Sequence, residues 1–194
     1  MKRSATVLKT ALVALIIGAV SGCLVSETPV LDASNGAATP LGPGDYVSCP
    51  VDDEAEESDC EDLKISHDAS GLYSAVTSSD EAMEWRFRRV ARGGYAVQVK
   101  ESDGYAYYYG RMAGEALRMT FMQCPSLPAD LRASLIRRGD LATEDEDDFE
   151  TCAVNTVRGL SKSAKAYHKG KAVDEDPLTL MISPVTTEIS LQTP

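Results

Sequence analysis

Five cysteines, two histidines, four clustered tyrosines and two dense acidic runs are the residues of this 194-residue chain best suited to chemistry. Cys49, Cys60, Cys124 and Cys152 form an even set, and Cys23 stands apart from them. No C-x2-C or H-x3-H spacing is present, so the pattern does not describe a zinc site, and no motif calls for a cofactor. Ser66, His67 and Asp68 lie side by side, but neighbours on an extended strand point to opposite faces and cannot form a triad. The chain lacks G-x-S-x-G, Walker, H-E-x-x-H and G-x-G-x-x-G motifs. The acidic runs at 52–62 (DDEAEESDCED) and 144–150 (EDEDDFE) lack the spacing of a calcium loop and read as solvated loops. A hydrolase built on paired carboxylates assembles its acids in space, and it stands as the enzymatic alternative.

Three further sets suit binding. Tyr105, Tyr107, Tyr108 and Tyr109 could form an aromatic partner surface, with Tyr108 opposite its neighbours and therefore expected to be exposed. Arg86 and Arg88, with Arg89, Arg111 and Arg118, give the same region a basic outer face. Arg158, Lys162, Lys165 and Lys169 recur at spacings of four, three and four, which places them in one stripe on a helix. Such a stripe suits lipid headgroups or an acidic partner.

The N-terminus decides the compartment. Lys2, Arg3 and Lys9 are followed by an uncharged, largely apolar stretch, Ala11–Val20, and then by Ser21, Gly22 and Cys23. A basic start, a short apolar core and small residues describe an export signal. Ten residues are too few to span a bilayer, which takes about 20. Val20-Ser21-Gly22-Cys23 resembles the lipobox of bacterial lipoprotein precursors. The resemblance covers residues 1 to about 26. It implies a diacylglyceryl group on the Cys23 thiol, cleavage just before Cys23, and acylation of the new amine by a chain such as palmitate. It also implies a cell-envelope protein held to the membrane by these chains. Leu24, where an inner-membrane lipoprotein commonly has Asp, implies the outer membrane, with the domain facing the periplasm.

Losing residues 1–22 removes three bases and no acids, so the formal charge moves from −11 to −14. That balance argues against nucleic acid as a partner, since phosphate binding needs a basic footprint, and against broad adhesion to anionic lipid. An exported chain with four remaining cysteines reads as two disulfides. Three pairings are open. Cys49–Cys60 and Cys124–Cys152 is preferred, because each encloses a polar, acidic loop that lacks apolar side chains to hold it. The expected organisation is a signal at 1–22, a lipidated Cys23 with a flexible tether to residue 44, one β-rich domain at 45–185, and a tail at 186–194.

The elements that must position these residues are mostly strands. Trp85 and Phe87, then Tyr95, Val97 and Val99, then Tyr105, Tyr107 and Tyr109, then Leu117, Met119 and Phe121 alternate with polar or small residues, and Gly-containing turns separate the runs. Odd-numbered positions thus define the expected buried face. Gly71–Thr77, Asp45–Cys49 and Leu178–Ser183 read as further strands, Pro128–Arg138 as a helix, Ala142–Thr151 as a loop and about Ala153–Lys169 as a second helix. The expected fold is α+β: an antiparallel meander of about five to seven strands covered by two helices, with a small β-barrel as the alternative. The expected role is a non-catalytic module that interacts with an envelope protein or component. A barrel enclosing a hydrophobic ligand, lined by Tyr105, Tyr107 and Met119, is the other non-enzymatic reading.

Overall fold

The computed structural model describes residues 22–51, 59–146, 149–172 and 178–185. The expected tail, nearly all of the expected signal, and parts of both acidic runs lie outside them. Eleven strands and two helices follow in chain order: β1 Leu24–Ser26, β2 Gly44–Pro50, β3 Glu61–His67, β4 Tyr73–Thr77, β5 Ala82–Ala91, β6 Gly94–Glu101, β7 Gly104–Ala113, β8 Ala116–Phe121, α1 Ala129–Arg137, β9 Leu141–Glu146, β10 Phe149–Val154, α2 Val157–His168 and β11 Thr179–Pro184.

Eight strands close into an antiparallel barrel in the order β6-β5-β4-β3-β2-β11-β8-β7, with β7 returning to β6. The small barrel, not the open meander under two helices, is therefore the architecture. Closure has a plain cause: β11 returns from the C-terminus to pair with both β2 and β8, which leaves no free edge in the ring. Beyond the end of β8, β1 takes over the edge of β7 at Val25↔Ala106, and the parallel pair β1–β10 carries the β9–β10 hairpin outward. This hairpin replaces the loop expected over Ala142–Thr151. It also shortens the second helix, which starts at Val157 behind an N-cap where the Thr156 hydroxyl accepts from the Gly159 N–H.

The interior of the barrel is filled by Tyr46, Leu63, Ile65, Tyr73, Trp85, Phe87, Tyr95, Val97, Val99, Leu117, Met119 and Ile182. Phe87 meets Tyr73 edge-on at 4.9 Å, and Trp85 and Tyr95 each at 6.3 Å. A second core lies outside the β6–β7 wall, where Leu24, Leu31, Tyr107, Tyr109, Met122, Leu135, Leu141, Val154 and Leu160 pack together. The Cys124–Cys152 disulfide crosses this outer core, and Cys49–Cys60 joins the end of β2 to the start of β3. The preferred pairing is the one formed.

The segment expected as a tether is built into the fold. Gln98 latches it to the barrel wall: its Oε1 accepts from the N–H groups of Val30 (2.8 Å) and Leu31 (2.7 Å), and its Nε2 donates to the Leu31 carbonyl (3.1 Å). Ala38 donates its N–H to Phe87 O, and the Leu41 side chain packs with the barrel core, where the Tyr73 hydroxyl donates to Leu41 O at 2.7 Å. Gly71 is required here, since a Cβ at its left-handed φ of 73° would lie 2.6 Å from Ala37 Cα. Composition suggested a linker because the polar partners that hold this segment come from β4, β5 and β6.

Candidate functional site

Cys23 is held by backbone pairing on two sides. It bridges Gln123, its carbonyl accepts from the Cys152 N–H at 3.1 Å, and the next residue, Leu24, donates to Met122 O. Its side chain is 2% exposed and packs with Ala106 and Phe121, against Val25 and Tyr108. Burial pushes the Cys23 thiol up to about 12, which makes the bare thiol a poor nucleophile in the folded chain. Cys23 and Leu24 face opposite ways, as strand neighbours must: Cys23 joins the cluster at the end of the barrel, and Leu24 joins the outer core.

The four tyrosines are divided by the wall. Val97 pairs with Tyr108 and Val99 with Ala106, and directly paired residues share a face, so Tyr108 points into the barrel. Its ring meets Phe121 at 4.9 Å, and burial drives its hydroxyl pKa far upward, with Glu101 and Cys23 adding to the effect. The expectation of an exposed Tyr108 is corrected: it does oppose its neighbours, but its side is the interior. Tyr105, Tyr107 and Tyr109 face outward and are covered by the second layer. Tyr107 is fully buried, shares a 2.6 Å hydrogen bond with the Ser26 hydroxyl, and has its own hydroxyl pushed up to about 12 by burial. Tyr109 and His168 Nδ1 are 2.7 Å apart, and burial raises the Tyr109 pKa. Tyr105 is half-buried at the edge of this layer. A barrel cavity lined by Tyr105 and Tyr107 is thus ruled out by the register.

Arg86 and Arg88 serve as clamps. Arg86 donates to Ser70 O at 3.1 Å. Arg88 donates from Nε to the Ser161 hydroxyl (3.1 Å) and from Nη1 to Asn35 O (2.8 Å), which ties β5 to α2 and to the N-terminal segment. At the start of α2, Asp140 is buried and receives Arg158 Nε at 2.9 Å and Nη2 at 2.8 Å, with Thr156 Oγ1 at 2.7 Å. Those donors, Arg158 first, hold the Asp140 carboxyl below the usual range. Gly159 completes the joint, because a Cβ there would stand 2.6 Å from Asp140 O. Neither Gln98 nor Asp140 has a sequence signal: one is an amide in an alternating strand, the other an acid after a helix stop.

Two surface grooves hold clustered charge. The larger, about 690 Å³, includes His67, Asp68, Glu81, Glu84, Lys100 and Glu101 in its lining. Partial burial, and then Glu81, raise the Glu101 pKa, while Lys100 Nζ sits 3.3 Å from Glu84. The second, about 400 Å³, runs between β5 and α2 and is lined by Arg88, Val157, Arg158, Ser161, Lys162 and Lys165. Among the described residues, no three His, Cys, Asp or Glu side chains converge as a metal cage.

Fold and site together define a closed eight-stranded antiparallel barrel with a three-stranded extension, a helical outer layer and Cys23 built into its end. Comparison with known proteins finds no matching family model, no matching curated protein and no matching solved structure.

Proposed function

We propose that the chain is a lipid-anchored lipoprotein of the bacterial cell envelope, and that its barrel is a non-catalytic interaction module held at the membrane surface. The observation that carries this reading is the basic start, short apolar stretch and Val20-Ser21-Gly22-Cys23 lipobox. Two acyl chains on one residue hold a protein stably on a bilayer, whereas one does so only marginally. The integration of residues 24–41 into the fold gives the anchor a different mechanical meaning from a tether. The barrel has little reach, so the anchor fixes it against the headgroup layer and raises its effective concentration for neighbours there. Cleavage before Cys23 costs the fold two hydrogen bonds of Gly22, one from Cys124 N–H to its carbonyl and one from its N–H to Thr151 Oγ1. The buried seat of Cys23 has no room for a diacylglyceryl group on the thiol, so in the lipidated protein this side chain has to turn out of its cluster with Ala106 and Phe121.

That same burial favours a second reading, a secreted barrel that keeps Cys23 as an unmodified core thiol. Mass spectrometry of the mature N-terminal peptide separates the two. Diacylglyceryl and acyl mass on Cys23, with accumulation of a larger precursor under globomycin, is the expected result. A bare Cys23 would discard the anchor.

A further inference from the structure

We infer that the groove between β5 and α2 is an anion-docking surface that takes the phosphates of anionic lipid headgroups. Four of its six lining residues are cations: Arg88, Arg158, Lys162 and Lys165. The Arg88 guanidinium is set in place by Ser161 and Asn35, so it is presented with little further loss of side-chain freedom. Arg158 is paired with the buried Asp140 carboxylate, which neutralises it, so among the described residues Arg88, Lys162 and Lys165 carry the groove's free positive charge. Lys162 and Lys165 project from the solvent face of α2 and have no acidic partner among the described residues. Lys169 continues the same exposed stripe toward the helix C-terminus. The groove lies at the first turns of α2, where the helix dipole adds positive potential.

Two placements select a membrane source for the phosphate. Tyr167, on the last turn of α2, receives the Gln123 N–H at its hydroxyl (2.8 Å), and Gln123 is the residue bridged to Cys23. The C-terminal end of the basic stripe, at Lys169, therefore adjoins the proposed anchor, and the groove lies toward the other end of α2. Part of the chain's negative charge lies well away from it. In the closed ring β2 is diametrically opposite β6, so Asp45, Glu61 and Asp62 on β2 and β3 lie across the barrel from α2. Facing sheets pack about 10 Å apart, which exceeds the ~8 Å screening length at physiological salt. Each Lys or Arg near an anionic surface adds attraction that salt weakens. The choice of headgroups over free phosphate rests on the anchor reading; the groove does not.

The test uses mature protein purified from its membranes and reconstituted in vesicles of phosphatidylcholine, alone or mixed with phosphatidylglycerol. Amine acylation of individual lysines is followed by mass spectrometry. Lys162, Lys165 and Lys169 should react several-fold more slowly on the anionic vesicles, and high salt should abolish the difference. Lys64, exposed on β3, should react equally on both. In a Lys162→Gln/Lys165→Gln variant the protection of Lys169 should fall. Equal rates on the two vesicles, or equal slowing at Lys64, would overturn the proposal. Protection of the same size from inorganic phosphate over phosphatidylcholine would overturn the headgroup source. If Cys23 carries lipid and no protection is seen, the groove fails and the anchor stands. If Cys23 is bare and the exported protein still shows the pattern, the anchor fails and the groove stands.

Discussion

The β3–β4 wall and the β6–β7 wall belong to one barrel but obey different rules. In β3 the interior is met by Leu63 and Ile65, and the residues between and around them are exposed. In β6 every residue from Gly94 to Val99 is buried, because the Gln98-latched N-terminal segment, α2 and the β1–β10 extension cover the outer face. One wall is a boundary between core and water. The other is a partition between two cores. The proposed function follows the same division, since the cysteine proposed for lipidation and the basic groove both adjoin the covered side.

Substitutions can test how unequal the two walls are. The largest effect is expected for Tyr107→Ala on the partition: loss of a fully buried ring and of its bond to Ser26 should cost about 3–5 kcal/mol in urea unfolding. Gln98→Ala should follow at about 2–3 kcal/mol, since it strands the Val30 and Leu31 N–H groups. Hydrogen exchange in that variant should speed up over residues 27–38 and leave β3 unchanged. A uniform response would refute the latch.

Gly159→Ala tests the seat of α2. On propensity alone, Ala would stabilise a helix by about 1 kcal/mol. Here the clash with the Asp140 carbonyl should reverse the sign, with a net loss of about 1–2 kcal/mol. A gain in melting temperature would show that α2 is not docked so closely.

Asp140→Asn should cost about 1.5 kcal/mol, at the low end for charged hydrogen bonds because Arg158 is half-exposed. Its pH signature has a definite sign. Folding lowers the Asp140 pKa, so the contribution is present above the unfolded value of about 3.9 and is lost as pH falls through the folded value. The variant should therefore lose less stability than the parent between pH 5 and the acid limit, marked by the unfolded pKa of about 3.9 and below. The smallest effect belongs to the outer face of β3, where Lys64→Gln should fall within about 0.5 kcal/mol of the parent.

Much of the barrel was legible in the residues themselves. Trp85, Phe87, Tyr95, Val97, Val99, Leu117 and Met119 all lie on the face their alternation assigns. The helix expected at Pro128–Arg138 forms over Ala129–Arg137 with Leu135 buried, and the preferred disulfide pairing is the one formed. The misreading of the tyrosines has a local cause. In a two-residue hairpin turn, residue i pairs with i+3, so the inward-facing set changes parity. Glu101 pairs with Gly104 across Ser102-Asp103, and Ala113 with Ala116 across Gly114-Glu115. The interior set is therefore odd on β6, even on β7 and odd again on β8. That rule could have been applied to the sequence.

What the chain determined by itself is what depends on neighbours in sequence: alternation, turns and a helix with its stop. Strands β1, β3, β9 and β10 carry weak alternation or many charges, and they form because partners distant in sequence offer hydrogen-bonding edges. Only the tertiary structure decided that the ring closes, that residues 24–41 are structural, and that Arg88 meets α2. The reason is physical: burial and pairing are properties of two surfaces meeting, and a strand's own residues specify only one of them.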